Sequence, residues 1–364
     1  MPFSAVSNPA YNLSRIGANN NVNTLAWDNF VRLYVSEVLT AYHQKLILAP
    51  SVRHRTISNG KSTTFPMLGK TTVEYFTPGN EIVGGQIRAG ERQVTIDDLL
   101  ISSQFIYQLD EAMNYYDVRG QYSTEAGWAL AKETDRNVAR QLIKAALCTD
   151  TTTAAALVQN YKQFDEEDFT PNVTIGTLAG DALVPGQIDY AILQAIKNFI
   201  VAGIDHTNAI CVLPPAQYFA LLDTRDSTKV NYMNHFLGGV GGAGGSTVPA
   251  LHGMPIYCSP NLDPALLWNA TTGVTSDQVP LTTAAGGSGR NTAYDMPVGA
   301  NYLTLANKVC GLIYNPDAVC SVSLQGLQME GKYQMERQGY LMLSKKAEGH
   351  NVLRPANAIA LLSV

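Results

Sequence analysis

The chain has 364 residues, enough at about 150 per domain for two to three units with real cores. Lys plus Arg number 25 against 30 Asp plus Glu, and a formal charge of −5 offers no basic footprint for gripping nucleic acid by its phosphates. Five cysteines, Cys148, Cys211, Cys258, Cys310 and Cys320, are widely spaced with no C-x-x-C pair, so neither a disulfide framework nor a structural zinc site has support.

Charged residues make up 15% of the chain, where about 25% is usual, while hydrophobic residues stand at an ordinary 46%. Charge is depleted at the cores of protein interfaces, so this composition predicts a surface covered by other protein. No apolar run approaches the roughly 18 residues of a membrane span, and the opening residues lack a charged segment followed by an apolar one. The expectation is a chain neither exported by a signal peptide nor spanning a membrane.

Residues 1–24, rich in Asn, Ser and Ala, read as an arm without structure of its own. From Trp27 through Phe30, Val31, Tyr34, Val35, Val38 and Tyr42, apolar positions three and four apart predict an amphipathic helix that Pro50 ends. Between 56 and 100, Asn59-Gly60, Pro66, Gly69, Pro78-Gly79, Gly84-Gly85 and Gly90 punctuate β-branched and aromatic segments such as Thr71–Phe76 and Gln93–Ile96. This predicts a long two-stranded excursion. With arms of about 15 residues it would reach roughly 50 Å, and an isolated hairpin needs another surface to lie on. The cluster Arg53, His54, Arg55 and Lys61 reads as a solvated turn or a contact with a neighbouring subunit.

Residues 108–148 read as one strut helix, bent or split at Gly120 and Gly127, with Asp135, Arg136 and Arg140 off its apolar face. Residues 149–185, with the acidic run Asp165–Asp168, read as a surface connection. Then come a helix through Ile188, Ile192, Ala195, Ile196 and Phe199, a strand at Ala209–Leu213, a helix opening at Pro214-Pro215, and a strand at Met254–Tyr257. Helix and strand alternating in this way suggest an α/β lobe. Strands are expected at Gly311–Tyr314, Val319–Leu327 and Ala358–Leu362. Between the last two, Met329, Met335 and Met342 read as packing residues, and Gly349-His350 with Leu353-Arg354-Pro355 as a turn and a fixed corner in which Arg354 binds backbone or carboxylate.

Little in the sequence carries chemistry. Gly239–Gly244 formally satisfies G-x-G-x-x-G, but no strand pattern precedes it and Pro249 follows closely, so the run Gly238–Ser246 reads as a loop tip. The six histidines lack metal-ligand spacing, no G-x-S-x-G elbow is present, and the pair Asp97-Asp98 reads as capping or solvated loop. Catalytic, cofactor-binding and metal residues are accordingly expected to be none.

The order of parts resembles the major capsid proteins of tailed bacteriophages, most closely those of the short-tailed T-seven-like podovirus group. The residues that carry the resemblance are Glu37–Ala41, Gly60-Lys61-Ser62, Phe65-Pro66, Leu68-Gly69, Thr95-Ile96-Asp97, Ile106-Tyr107, Ala112-Met113-Asn114, Tyr116–Arg119, His252–Ile256, and Gly349-His350 with Leu353-Arg354-Pro355. The resemblance implies an α+β chain of the Hong Kong 97 phage-type capsid fold. It divides the chain into an N-terminal arm (1–55), an extended loop (56–107), a peripheral domain (108–183) with a spine helix (108–148), an axial domain (184–308) and a return to the peripheral domain (309–364). It implies a structural, non-enzymatic subunit that builds hexamers and pentamers of an icosahedral head around double-stranded DNA. Such a subunit is made in the host bacterial cytoplasm and resides in the virion capsid, with no cofactor and no membrane.

The partners implied are further copies of the chain, a scaffolding protein, a portal protein and, in some relatives, a decoration protein, with packaged DNA nearby but not specifically bound. At the level of segments, the subunit-interface candidates are Lys61, Phe65, Tyr75, Phe76, Arg88, Arg92, Arg119 and Arg354. Two alternatives stay open on sequence: a bacterial nanocompartment shell protein of the same fold, and an α/β enzyme using the Gly238–Ser246 loop.

Overall fold

The computed structural model of the protein describes residues 37–38, 40–42, 46–69, 71, 73, 75–79, 81–82, 84, 87, 89–96, 99–109, 119–158, 169–178, 180–222, 250–270, 273, 294–297 and 301–364. Residues 1–36 of the expected arm, the Asp97-Asp98 pair, the acidic run 165–168 and the glycine-rich run 238–246 lie outside them. In chain order the first strands are β1 (Arg53–Thr56), β2 (Ser62–Leu68), β3 (Ala89–Thr95) and β4 (Leu100–Tyr107). Helices α1 (Arg119–Leu147) and α2 (Thr151–Leu157) follow. The middle carries β5 (Val173–Thr174), α3 (Pro185–Val201), β6 (Ile210–Leu213), α4 (Pro215–Leu222), β7 (Ala250–Leu251), β8 (Met254–Cys258) and α5 (Pro264–Leu267). Last come α6 (Tyr302–Asn307), β9 (Val309–Tyr314), β10 (Val319–Gln334), β11 (Gly339–Val352) and β12 (Ala358–Leu362).

The chain divides into two compact units, and α1, β10 and β11 each contribute to both. The first unit comprises Met1–Leu46, Leu99–Thr134 and Gln325–Glu348. Here β4 pairs antiparallel with β11, from Gly339 opposite Tyr107 to Lys346 opposite Leu100. Residues 100–107 therefore belong to this sheet and not to the two-stranded excursion. Gly127 does not break α1, contrary to expectation, and Gly120 is the second residue of α1, with 110–118 outside the described residues. At Gly127 the cause is close approach: a Cβ there would lie 2.6 Å from the Val38 carbonyl oxygen and 3.0 Å from the Ala41 Cβ. Only glycine lets the helical residues around Val38 press onto α1 at that point. Val38, Ala126 and Met342 bury together beside it, and Lys346 is held by Tyr42 and Glu348.

The second unit comprises Ile47–Asp98, Asp135–Leu324 and Gly349–Val364. Its centre is a six-stranded mixed sheet in the order β5-β12-β9-β6-β8-β7. Alternation along each strand sends side chains to opposite faces. Thus Val212, Leu312, Ala358 and Ala360 join Leu142, Ile143 and Ala146 of α1 in one core, while Cys211, Leu213, Ile313, Ile359 and Leu361 join Ile188, Ile192 and Phe199 of α3 in the other. With helices on both faces, β12 is buried along its whole length, which is why it reads as an unbroken apolar run. The β7–β8 turn is made by His252 (φ 50) and Gly253 (φ 84), the two positive values that a type I′ hairpin requires.

The polar side of the strut helix departs from expectation. Asp135, Arg136 and Arg140 are buried, because α1 passes into the core here. The Asp135 carboxylate accepts the backbone N–H groups of Ile47 (2.8 Å), Leu48 (3.2 Å) and Ala49 (3.0 Å), and so fixes the short turn at Ala49–Ser51 that contains Pro50. Arg140 donates through Nε to the Leu267 carbonyl at 3.2 Å. The expected surface connection after 149 is in part the helix α2, capped by Asp150 and Thr153 bonding each other's backbone and burying Ala154 and Leu157.

Candidate subunit interface

The excursion is a hairpin with a docked base. β2 and β3 pair antiparallel from Ser62 opposite Thr95 to Leu68 opposite Ala89, so the paired arms are seven residues each. Alternation buries Phe65 and Met67 on one strand and Arg92 and Val94 on the other. Phe65, Met67 and Val94 pack on Cys320, Val322 and Leu353. Polar contacts pin the same base: Arg92 Nε donates to the Leu353 carbonyl at 3.4 Å, and Asn351 Nδ2 to the Gln93 carbonyl at 2.9 Å. Beneath it, β11 approaches so closely at Gly349 that a Cβ would stand 2.1 Å from the Thr95 carbonyl oxygen.

Beyond Leu68 the pattern changes. Among the described residues of 69–88 none is in a strand, so Thr71, Val73, Tyr75 and Phe76 of the expected strand at Thr71–Phe76 are not strand residues. β-branched and aromatic residues favour strands where they have a surface to pack on, and among the described residues none covers this segment. Val73 is 94% exposed and Ile82 77%, Tyr75 is fully exposed, and Leu68, Phe76 and Ile87 are each more than half exposed. The Pro78-Gly79 turn, with Gly79 at φ 99, sits among them. A segment with this many bare apolar side chains marks an interaction surface.

The candidates from sequence separate accordingly. Tyr75 and Phe76 lie on the bare segment, and Lys61 is exposed at the foot of β2. Phe65 and Arg92 depart from the expectation of exposed contact residues: both are buried inside their own chain, where they hold the hairpin's base. Arg88 lies outside the described residues, and Arg119 opens α1. Arg354 is exposed, and the guanidinium that meets the backbone of its corner is that of Arg92. Gly349 and His350 belong to β11 and form no turn. The cluster Arg53–Arg55 is likewise no turn but the exposed strand β1, parallel to β10 with Arg53 opposite Cys320. Met335 is 75% exposed instead of packed, whereas Met342 is buried as expected. Sequence reasoning missed Val73, Ile82 and Ile87 as surface residues, although their place around Pro78-Gly79 was the available signal.

Reactive groups are muted. Burial pushes the Cys211 and Cys320 thiols up to about 12, so the thiolate is not accessible to either near neutral pH. Burial also lowers the Lys144 ammonium to about 8, a shift that Asp295 opposes and Arg140 reinforces. Among the described residues no group of three or more His, Cys, Asp or Glu is placed to hold a metal ion, and no helix is long and apolar enough to cross a membrane.

Residues 64–362 match the Gp10A-like family, described as major capsid protein. The chain is 27% identical over 356 residues to the major capsid protein of Escherichia phage T7, covering 92% of this chain and 91% of that one. It is also 27% identical over 370 residues to the major capsid protein of Enterobacteria phage T3, covering 96% of each. Among solved structures, the capsid of cyanophage P-SCSP1u superposes with a TM-score of 0.64 at 27% identity over 88% of both chains. The mature capsid of bacteriophage PhiM1 gives 0.60 at 15% identity over 88% of this chain and 87% of that one. The α+β architecture is that of the Hong Kong 97 phage-type capsids, and neither the nanocompartment nor the enzyme alternative is favoured. A protein of the virion shell, the chain belongs to the Gp10A-like family of phage major capsid proteins.

Proposed function

We propose that the chain builds its shell by laying the bare segment 69–88, the distal part of the extended loop expected at 56–107, over an adjacent copy. The observation that carries this reading is the run of exposed apolar side chains at Val73, Tyr75, Phe76 and Ile82 on a hairpin whose base is anchored in its own molecule. Burying such surface in a neighbour is favourable by about 25 cal/mol per Å² before ordering costs, and a closed shell repeats the gain at every subunit. In this reading 1–55 is the arm, 108–183 and 309–364 form the peripheral domain and 184–308 the axial domain. The copies form hexamers and pentamers, a scaffolding protein guides their closure and a portal protein nucleates it. Lys61, Tyr75, Phe76 and Arg354 are the interface candidates that remain exposed. The subunit acts by position alone, without a catalytic group, and its negative charge keeps packaged DNA from adhering to the wall.

The experiment is co-expression of the chain with the scaffolding protein of its phage, read by negative-stain microscopy. Closed shells are expected. Absence of shells or ring-like capsomers from the unaltered chain overturns the proposal.

A further inference from the structure

α3 buries one face and leaves another bare. Ile188, Ile192, Ala195, Ile196 and Phe199 face the sheet. On the opposite side Gly186, Tyr190, Leu193, Lys197 and Ile200 follow at steps of four, three, four and three, with Val201 beside the last, and all six are exposed. This spacing keeps them on one stripe of a 3.6-residue helix. Tyr190 is 59% exposed, Leu193 41%, Ile200 58% and Val201 78%. Lys197 is the single charge on the stripe. The other charged side chain of the helix, Asp189, is turned to His252 Nε2 at 2.7 Å, within the same unit.

We infer that this outer stripe of α3 is a contact between copies of this chain, separate from the hairpin. The inference rests on the shell-building reading above and adds a second seam to it. The composition of the stripe selects the occupant. One lysine is too little to hold a polyanion such as DNA or an acidic segment, which needs several cations in a row. A charge-poor stripe with an aromatic residue and branched aliphatics is the composition of an interface core. Taking about 150–250 Å² for a fully exposed aromatic and less for an aliphatic, the four apolar side chains expose on the order of 400 Å². That is about half of the roughly 800 Å² each partner contributes to a standard interface, the share expected of a centre surrounded by a polar rim. A family whose members tile a shell with one repeated chain supplies such a partner at every position.

The test uses the full chain co-expressed with its scaffolding protein. With a photoreactive phenylalanine in place of Ile200, irradiated shells are expected to yield a covalent dimer of this chain. Ile200→Lys is expected to lower shell yield at least tenfold while leaving the melting temperature of the unassembled chain unchanged. Shells at unaltered yield from Ile200→Lys, no crosslink in the shells, or a crosslink to a different polypeptide would each overturn the inference. A loss of melting temperature in Ile200→Lys counts against it too, since the stripe would then be serving the fold. If the unaltered chain builds no shells, the reading beneath it fails as well; if it builds them and only the α3 results fail, the hairpin seam stands alone.

Discussion

The base and the far end of the residue 62–95 hairpin are built from similar residues and treated oppositely. Phe65, Met67 and Val94 are buried against Cys320, Val322 and Leu353, whereas Val73, Tyr75 and Phe76 touch water. Apolar and aromatic content therefore does not distinguish them; what differs is whether the same chain returns to cover them. β10 and β11 come back beneath the base, and nothing comparable meets the end among the described residues. The base is a folding element and, in the proposed reading, the end is an association element, joined on one ribbon. A rigid root of this kind lowers the ordering cost of docking the tip, because fewer backbone torsions remain to be fixed on contact.

Substitutions at the two ends should separate these roles. The largest effect is expected at the root: Phe65→Ala removes a buried aromatic and should destabilise the unassembled chain by about 3 kcal/mol, read by urea unfolding. Faster hydrogen exchange over 62–68 and 89–95 would place the loss at the base, and an unchanged midpoint would erase the distinction drawn here. Gly349→Ala should cost about 1–3 kcal/mol, since its Cβ meets a backbone oxygen that cannot move aside as a side chain would.

A probe far from both ends sharpens the comparison by isolating the main core. Lys144 is lowered to about 8 by burial, so between about 8 and 10.5 the unfolded chain binds the proton that the folded chain has released. Stability from this group should therefore rise with pH across that window, and Lys144→Met should flatten the slope in pH-dependent unfolding without altering shell yield. The smallest effect on folding is expected at the tip. Tyr75→Ala should shift unfolding by no more than about 0.5 kcal/mol yet reduce shells counted by microscopy, an outcome opposite to that of the root.

Much of the second unit was legible because its periodicities are undiluted: α3 shows its 3.6-residue spacing, and β6, β9 and β12 are short apolar runs with sheet neighbours on both sides. The long β11 was not, because Lys345, Lys346, Glu348 and His350 interrupt its apolar alternation, and its pairing partner β4 lies more than two hundred residues away. The unbroken path of α1 across Gly127 was illegible for a related reason: helix propensity disfavours glycine, and the packing that requires it comes from the segment around Val38. At the interface the sequence announced aromatic residues but not which were already taken. Phe65 and Arg92 occupy inward positions of strands whose composition resembles that around Tyr75, and only the return of β10 and β11 assigns them to the interior.

The position of β12 carries a consequence for synthesis. It enters late in the chain yet occupies a place between β5 and β9, pairing with both. A nascent polypeptide emerging from the ribosome must therefore hold the flanks of those two strands open until residues 358–362 are free, a delay that leaves sticky edges exposed to chaperones and to aggregation. A product terminated before residue 358 would lack an interior strand of that sheet, and with it the residues that β5 and β9 pair against.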